Sequence, residues 1–137
     1  MGPWRLASLL LPPLAVMALI FFLSGQPGDA EDKALWEVLL RKLAHVTEYA
    51  LLTLATWRAA RGLHPRGSPT AHLALAAAVS LLYAGTDEWH QTFVDERNGT
   101  PVDILIDSIG IAIACAVAAR YGRLRRRTVG PSRPSAA

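Results

Sequence analysis

Four long apolar runs limit what this chain can fold into more than any other feature of its sequence. They cover Leu6–Leu23, Leu43–Trp57, Ala71–Trp89 and Ile104–Tyr121. Each run approaches the length of about 20 residues that an α-helix needs to cross a bilayer. A chain of 137 residues has room for one domain, and a soluble domain of that size would not carry four such segments. The sequence therefore predicts an all-α fold, a four-helix transmembrane bundle.

The predicted membrane domain covers residues 1–122, with helices at about 5–23, 38–60, 70–91 and 102–121. Gly62–Pro69, which contains two glycines and two prolines, separates the second helix from the third. Residues 123–137 are rich in Arg, Ser, Pro and Ala and predict a disordered basic tail. The sequence shows no internal repeat, so it does not favour an inverted-repeat transporter.

The distribution of charge predicts the orientation of the helices. Arginine is concentrated at the N-terminus, in the connection after the second run and in the tail, three stretches without Asp or Glu. All 11 acidic residues lie within 29–48 or 87–107. Because cytoplasmic loops hold the excess of Lys and Arg, we expect both termini in the cytoplasm and the acidic end outside. Most of the basic residues behind the net charge of +3 lie in these cytoplasmic stretches, so the net charge does not favour a nucleic-acid partner.

Two features argue against a secreted, disulfide-bonded protein. The single cysteine, Cys115, lies inside the fourth apolar run, which excludes a disulfide framework. Arg5 and the first run have the outline of a signal peptide, but the run is long and no clean small-x-small cleavage site follows it. We therefore expect the first run to remain as a membrane helix.

Ionisable side chains interrupt three of the apolar runs, although such groups are expensive inside a membrane and usually have a function there. The first group is Lys42, His45, Glu48 and Tyr49, the second is Asp87, Glu88, His90 and Gln91, and the third is Arg97, Asp103 and Asp107. Residues three, four and seven apart share one face of a helix. Each group on a helix therefore forms one polar stripe at the predicted outer end, and together they predict one pocket in the outer leaflet.

The residue types predict roles within this pocket. The catalytic candidates are His45, Glu48, Asp87 and His90, because a histidine positioned by a carboxylate is the usual arrangement for proton transfer. The ligand-binding candidates are Lys42, Tyr49, Glu88, Gln91, Arg97, Asp103 and Asp107. We expect Lys42 and Arg97 to hold an anionic headgroup, and the two aspartates to bind an ammonium group, a sugar hydroxyl or a cation.

Three alternatives to this pocket stay open. His45 with Glu48, and Glu88 with His90, combine imidazole with carboxylate as a zinc or similar divalent ion requires; their spacing permits such a site without specifying one, so no metal or other cofactor is assigned. The same groups can instead pair across the helices and only hold the bundle together. Passage of ions or protons is disfavoured because the inner half of each run is apolar.

The order and spacing of the polar residues resemble the VanZ-like family. The similarity rests on Lys42-x-x-His45-x-x-Glu48-Tyr49, on Asp87-Glu88-x-His90-Gln91-x-Phe93, on Arg97, on the Asp-rich start of the last run ending in Gly110, and on Ser24-Gly25-Gln26-Pro27. It covers roughly residues 15–120 and implies a small bacterial protein, multi-pass in the plasma membrane. The family takes its name from a member linked to low-level resistance to the glycopeptide teicoplanin.

The resemblance and the pocket together predict a function in the cell envelope. We expect the protein to bind or process a lipid-linked cell-envelope intermediate and thereby affect glycopeptide susceptibility. The alternative is a non-catalytic membrane protein that organises lipids or partner proteins. Membrane lipids are the expected partners in either case, and the small interior of four short helices leaves a homodimer open.

Overall fold

The computed structural model describes residues 1–26, 34–95, 97 and 99–128, with side chains described as far as residue 124. These residues form four α-helices, α1 (Pro3–Ser24), α2 (Leu35–Leu63), α3 (Pro69–Gln91) and α4 (Pro101–Thr128). The described ranges contain no β-strand, which confirms the all-α prediction. Most of the loop between α1 and α2, and two residues of the loop between α3 and α4, lie outside the described residues.

The starts of three helices follow from proline at the first helical position. Proline suits this position because its missing N–H would have no helical partner there. The proline that begins α3 follows Ser68, whose Oγ accepts a hydrogen bond from the backbone N–H of Ala71 (3.1 Å). The proline that begins α4 follows Thr100, whose Oγ1 accepts from the backbone N–H of Asp103 (3.4 Å) and donates to Asp103 Oδ2 (2.8 Å). Both connections therefore end in a side-chain cap that fixes where the next helix begins.

The fourth helix ends later than the sequence predicted. It continues to Thr128, into the stretch 123–137 that was predicted as a disordered tail. Arg and Leu, which make up most of residues 123–127, are favourable helix formers, so the helix extends beyond its apolar run. Residues 129–137 lie outside the described part of the chain.

Two helices have the length and apolar composition of a membrane span, namely α1 over Pro3–Ser24 and α4 over Pro101–Leu124. Only 17% and 28% of their most apolar stretches is buried within the protein, so neither is the covered core helix of a soluble domain. Large apolar side chains, among them Leu14, Phe22 and Leu105, are exposed on these helices. Such a surface suits lipid contact. α2 and α3 contain more polar residues, so they do not have the apolar composition of a membrane span.

The core lies between α2 and its three neighbours. α2 packs against α1, α3 and α4, and the side chains of Ile20, Tyr49, Leu52, Ala84 and Ile111 fill the centre. All but Ile111 of these five are completely buried, and Ile111 nearly so. The helices carry few large side chains that face inward, so the interior of the bundle is small.

Small residues bring α2 and α4 into backbone contact. A Cβ atom at Gly110 would collide with the carbonyl oxygen of Val46 on α2, so only glycine fits there without a shift. Ala114 and Ala118 continue the same buried face of α4. Small residues allow such close approach of membrane helices, so this face of α4 packs directly on the backbone of α2.

Helix α1 continues through Pro12 and Pro13. Because proline has no N–H, the carbonyl of Ser8 loses the partner that residue 12 would otherwise provide. Arg58 on α2 replaces it, with its Nη1 donating to the Ser8 oxygen (2.7 Å). Arg58 thus ties the two helices together at the end of the bundle opposite to the polar stripes.

Candidate functional site

The polar stripes of α2, α3 and α4 meet at one end of the bundle. At this end α1 and α3 finish and α2 and α4 begin. Hydrogen bonds join Ser24 to Asp87 (2.9 Å), Lys42 to Asp103 (2.9 Å) and Thr100 to Glu88 (2.9 Å), so all four helices are linked. We refer to the connected residues as the polar cluster: Ser24, Lys42, His45, Asp87, Glu88, Gln91, Arg97, Thr100, Asp103 and Asp107.

Within the described residues, two pairs of polar side chains connect α2 with α4. Lys42 Nζ lies 2.9 Å from Asp103 Oδ1, and the two side chains are 42% and 31% exposed. His45 Nδ1 lies 3.2 Å from Asp107 Oδ1, and the Asp107 side chain is completely buried. An exposed pair contributes at most about 1 kcal/mol, whereas a buried carboxylate depends on the groups that surround it. Asp107 is therefore the more constrained of the two acids.

A second network connects α1, α3 and the loop that follows α3. Asp87 Oδ2 accepts hydrogen bonds from Ser24 Oγ (2.9 Å) and Gln91 Nε2 (3.1 Å). Arg97 donates from Nη1 to Gln91 Oε1 (3.3 Å) and from Nη2 to the carbonyl oxygen of Leu23 (3.2 Å). The guanidinium thus rests on neutral acceptors, and within the described residues it forms no ion pair with a carboxylate.

Arg97 lies in the loop between α3 and α4, where its Nε is buried and lacks a hydrogen-bond partner among the described residues. Burial, together with the positive charge of Arg41, lowers the pKa of the Arg97 guanidinium from its ordinary value. An arginine nevertheless keeps its proton in a protein. The loop therefore holds a positive charge whose hydrogen-bonding capacity is not fully used.

Glu88 links the loop to the interior of the cluster. Its Oε2 accepts from the backbone N–H of Thr100 (2.9 Å) and its Oε1 lies 3.5 Å from Gln91 Nε2. One oxygen of Glu88, one of Asp107 and one ring nitrogen of His45 lie within 4.8 Å of one another. These three side chains come from α3, α4 and α2, so helix packing alone brings them together.

Several buried polar atoms at this end have no hydrogen-bond partner within the described part of the protein. They are the Tyr49 hydroxyl, Asp87 Oδ1, His90 Nε2, Arg97 Nε and Asp107 Oδ2. Most buried polar atoms in folded proteins are paired, and an unpaired one costs about 1–3 kcal/mol. Their concentration around the polar cluster marks it as a place where a ligand or solvent would bind.

An open groove of about 440 Å³ lies beside the cluster, between α1 and α3. Four aromatic side chains form its wall and three polar residues form its other boundary: Phe21, Tyr83, Trp89 and Phe93, with Thr86, Asp87 and His90. The ring of His90 stacks on Phe21 with 4.3 Å between centroids. We call this cavity the α1–α3 groove. Asp87 belongs to both the groove and the polar cluster, so the aromatic wall of the groove lies next to the cluster.

The sequence profile of the VanZ/LLP1 family matches residues 9–122, which include every residue of the polar cluster. The chain belongs to the VanZ/LLP1 family. No curated protein and no solved structure matches it significantly. The resemblance expected over roughly residues 15–120 is thus confirmed, and the family together with the two apolar helices supports a membrane protein.

The candidate residues of this VanZ/LLP1 chain are not all equivalent in the structure. Eight of them lie in the polar cluster: Lys42, His45, Asp87, Glu88, Gln91, Arg97, Asp103 and Asp107. The acid beside His45 is Asp107, where the sequence suggested Glu48 or Asp87. Glu48 forms no hydrogen bond or ion pair within the described ranges, although it is partly buried. His90 lies at the groove, and the completely buried Tyr49 belongs to the core.

Two residues of the site were missing from the sequence-based candidates. Ser24 ends the first apolar run and had been noted only as part of the Ser24-Gly25-Gln26-Pro27 similarity. Thr100 precedes Pro101 and stands three residues before Asp103, which is a pattern typical of a helix start. This pattern predicts that Thr100 caps the last helix, and a residue that caps α4 lies beside its first turn.

Proposed function

We propose that this VanZ/LLP1 chain is a multi-pass plasma-membrane protein in which all four helices span the bilayer. Both termini would lie in the cytoplasm and the polar cluster on the extracytoplasmic side. The separation of basic and acidic stretches supports this orientation. The exposed apolar surfaces of α1 and α4 support contact with lipid.

We further propose that the polar end binds or processes a lipid-linked cell-envelope intermediate and thereby affects glycopeptide susceptibility. The observation that carries this proposal is the α1–α3 groove, whose aromatic wall ends beside a polar cluster with a positive charge at Arg97. An isoprenoid chain linked to a phosphate group has the same two parts. Ligand sites commonly combine a largely apolar cleft with a few converging polar groups.

The cations and the histidine have separate roles in this proposal. Arg97 holds the phosphate, because its guanidinium forms no direct ion pair with a carboxylate within the described residues and its Nε has no hydrogen-bond partner there. Lys42 is already paired with Asp103, so it adds positive charge at the edge of the site, and Arg97 makes the direct contact with the phosphate. His45, held by Asp107 (3.2 Å), is the group for proton transfer if the intermediate is processed.

Binding of undecaprenyl phosphate to the full-length protein in lipid nanodiscs tests the groove. We expect Phe21→Ala to weaken binding about tenfold, which corresponds to about 1.4 kcal/mol. Phe22→Ala is the matched control, because Phe22 is the next residue of α1 and is similarly exposed but does not line the groove. Equal affinity of both variants would exclude the groove as the chain-binding surface.

A second comparison tests the headgroup contact. We expect Arg97→Gln to weaken the binding of undecaprenyl phosphate, but to leave the binding of undecaprenol, which lacks the phosphate, unchanged. Arg66→Gln serves as the control because Arg66 is exposed in the connection between α2 and α3. If Arg97→Gln and Arg66→Gln bind the phosphate equally well, Arg97 does not recognise the headgroup.

The effect on glycopeptides is tested in cells. Expression of the protein should raise the minimum inhibitory concentration of teicoplanin for a susceptible bacterium, and His45→Ala should abolish the increase. Protein abundance in the membrane is measured in the same cells. A His45→Ala protein that is equally abundant and equally protective would refute the proposed role of His45.

A purely structural polar network is the second candidate function, and the pairing of Lys42 with Asp103 favours it. In that case the protein organises lipids or partner proteins without a chemical step. Removing both charges together should then restore most of what removal of one charge takes away. Under the binding proposal, recovery of stability in the double variant would not restore lipid binding or resistance.

A further inference from the structure

Three metal-ligating side chains from three different helices converge inside the polar cluster. One ring nitrogen of His45 and one carboxylate oxygen each of Glu88 and Asp107 lie within 4.8 Å of one another. Glu88 and Asp107 are 4% and 0% exposed. The site is therefore enclosed by the bundle and differs from a group of acids on a solvated surface.

The hydrogen bonding of these side chains leaves ligand positions available. Asp107 Oδ1 faces His45, but its second oxygen, Oδ2, is buried and has no partner among the described residues. Glu88 is oriented by the N–H of Thr100 and by Gln91. Each carboxylate oxygen can accept more than one contact. Hydrogen-bond donors that hold a metal-ligating side chain in this way are common, because they fix the orientation of the ligand.

The charge balance of the cluster also favours a bound cation. Lys42 pairs with Asp103, and Arg97 is the other fixed positive charge of the polar cluster. Three further carboxylates, those of Asp87, Glu88 and Asp107, lie in the same cluster, and within the described residues Asp87 and Glu88 accept hydrogen bonds from neutral groups. Both are nearly fully buried, and a buried anion is unstable unless it is paired, protonated or bound to a metal.

We propose that His45, Glu88 and Asp107 form a binding site for a divalent transition-metal ion, with Zn²⁺ as the best-fitting candidate. One imidazole and two carboxylates suit zinc, and three protein ligands leave a fourth position for a further ligand. Ligand atoms about 2.1 Å from zinc lie about 3.4 Å apart in a tetrahedral site. The three ligand atoms already lie within 4.8 Å of one another, so small rotations of the side chains would bring them to that separation. This site stands on its own geometry and does not depend on the proposed binding of lipid.

The first test measures metal on the full-length protein, purified in mild detergent without chelators. We expect one equivalent of Zn²⁺ per chain by elemental analysis after incubation with the ion and removal of the excess. Glu88→Gln and Asp107→Asn should each weaken Zn²⁺ binding by at least about tenfold. Glu37→Gln and Asp95→Asn are the matched controls, because both side chains are exposed outside the cluster and their substitution should leave binding unchanged.

The second test gives a spectroscopic signature that a structural role would not produce. Co²⁺ replaces Zn²⁺, and His45→Cys in a Cys115→Ala background should add a sulfur-to-cobalt charge-transfer band to its near-ultraviolet spectrum. The Cys115→Ala protein alone should lack the band. The proposal is overturned if His45→Cys protein that retains its helical circular dichroism shows no such band. It is also overturned if wild type and Glu88→Gln bind Zn²⁺ equally.

Discussion

The contact between Gly110 and Val46 predicts a specific loss of stability for Gly110→Ala. The added Cβ atom would collide with the Val46 carbonyl oxygen and lie 3.2 Å from the backbone nitrogen of Ala50. Both neighbours belong to the backbone of α2, so no flexible side chain can move aside. α4 must therefore move away from α2, and the pairs Lys42–Asp103 and His45–Asp107 cross the same interface.

The size of the effect follows from two opposing contributions. Inserting a methyl group into a well-packed interface destabilises by about 1–3 kcal/mol, and a backbone collision belongs near the upper value. Alanine is favoured over glycine in a helix by about 1 kcal/mol. The net expectation for Gly110→Ala is a loss of about 1–2 kcal/mol. Gly85→Ala on α3 has open space around the new atom, so it should gain about 0.5–1 kcal/mol.

Reversible unfolding of both variants in detergent, followed by far-ultraviolet circular dichroism, measures this difference. The two substitutions are chemically identical and both lie within helices, so a comparison between them isolates the collision with Val46. The reasoning is refuted if Gly110→Ala is as stable as Gly85→Ala, because α2 and α4 would then not be in backbone contact.

Two further predictions concern the contacts between helices. Arg58→Met should destabilise by about 1–3 kcal/mol because it leaves the Ser8 carbonyl unpaired. Pro12→Ala restores a helical N–H for this carbonyl, so Arg58→Met should no longer carry this penalty in the Pro12→Ala background. If Arg58→Met destabilises both backgrounds equally, this account is contradicted. A double-mutant cycle with Lys42→Met and Asp103→Asn, followed by unfolding midpoints, should give a coupling of about 0.2–1 kcal/mol for this partly exposed pair. A coupling near zero would show that the ion pair does not contribute to stability.

The apolar runs were sufficient to predict the number and the approximate positions of the helices. The length of an apolar run can be read from the sequence without knowledge of tertiary contacts. The glycines and prolines of Gly62–Pro69 likewise mark the break between α2 and α3 locally. The end of α4 was less readable, because a basic helix and a basic disordered tail share their composition. The helix continues to Thr128, where the sequence suggested a tail from residue 123.

The site was predictable as a region, and its individual pairs were not. Helical periodicity places His45 on the polar stripe of α2, but the rotation of α2 against α4 decides which acid it meets. That rotation depends on the contact of Gly110 with Val46, which hydropathy does not report. For this reason Asp107 lies beside His45, whereas Glu48, three residues away on the same helix, forms no hydrogen bond within the described residues.

Helix α3 connects the two halves of the site. Asp87 and Glu88 are consecutive, and successive residues point about 100° apart on a helix, so Asp87 borders the α1–α3 groove while Glu88 faces His45 and Asp107. Gln91, one turn later, donates to both carboxylates from the same nitrogen. A ligand that draws the Gln91 amide toward Asp87 would break the hydrogen bond between Gln91 and Glu88. A cation bound by Glu88 would break the same hydrogen bond and leave the Gln91 amide bonded to Asp87 alone. The groove and the proposed metal site are therefore expected to influence each other through a single side chain.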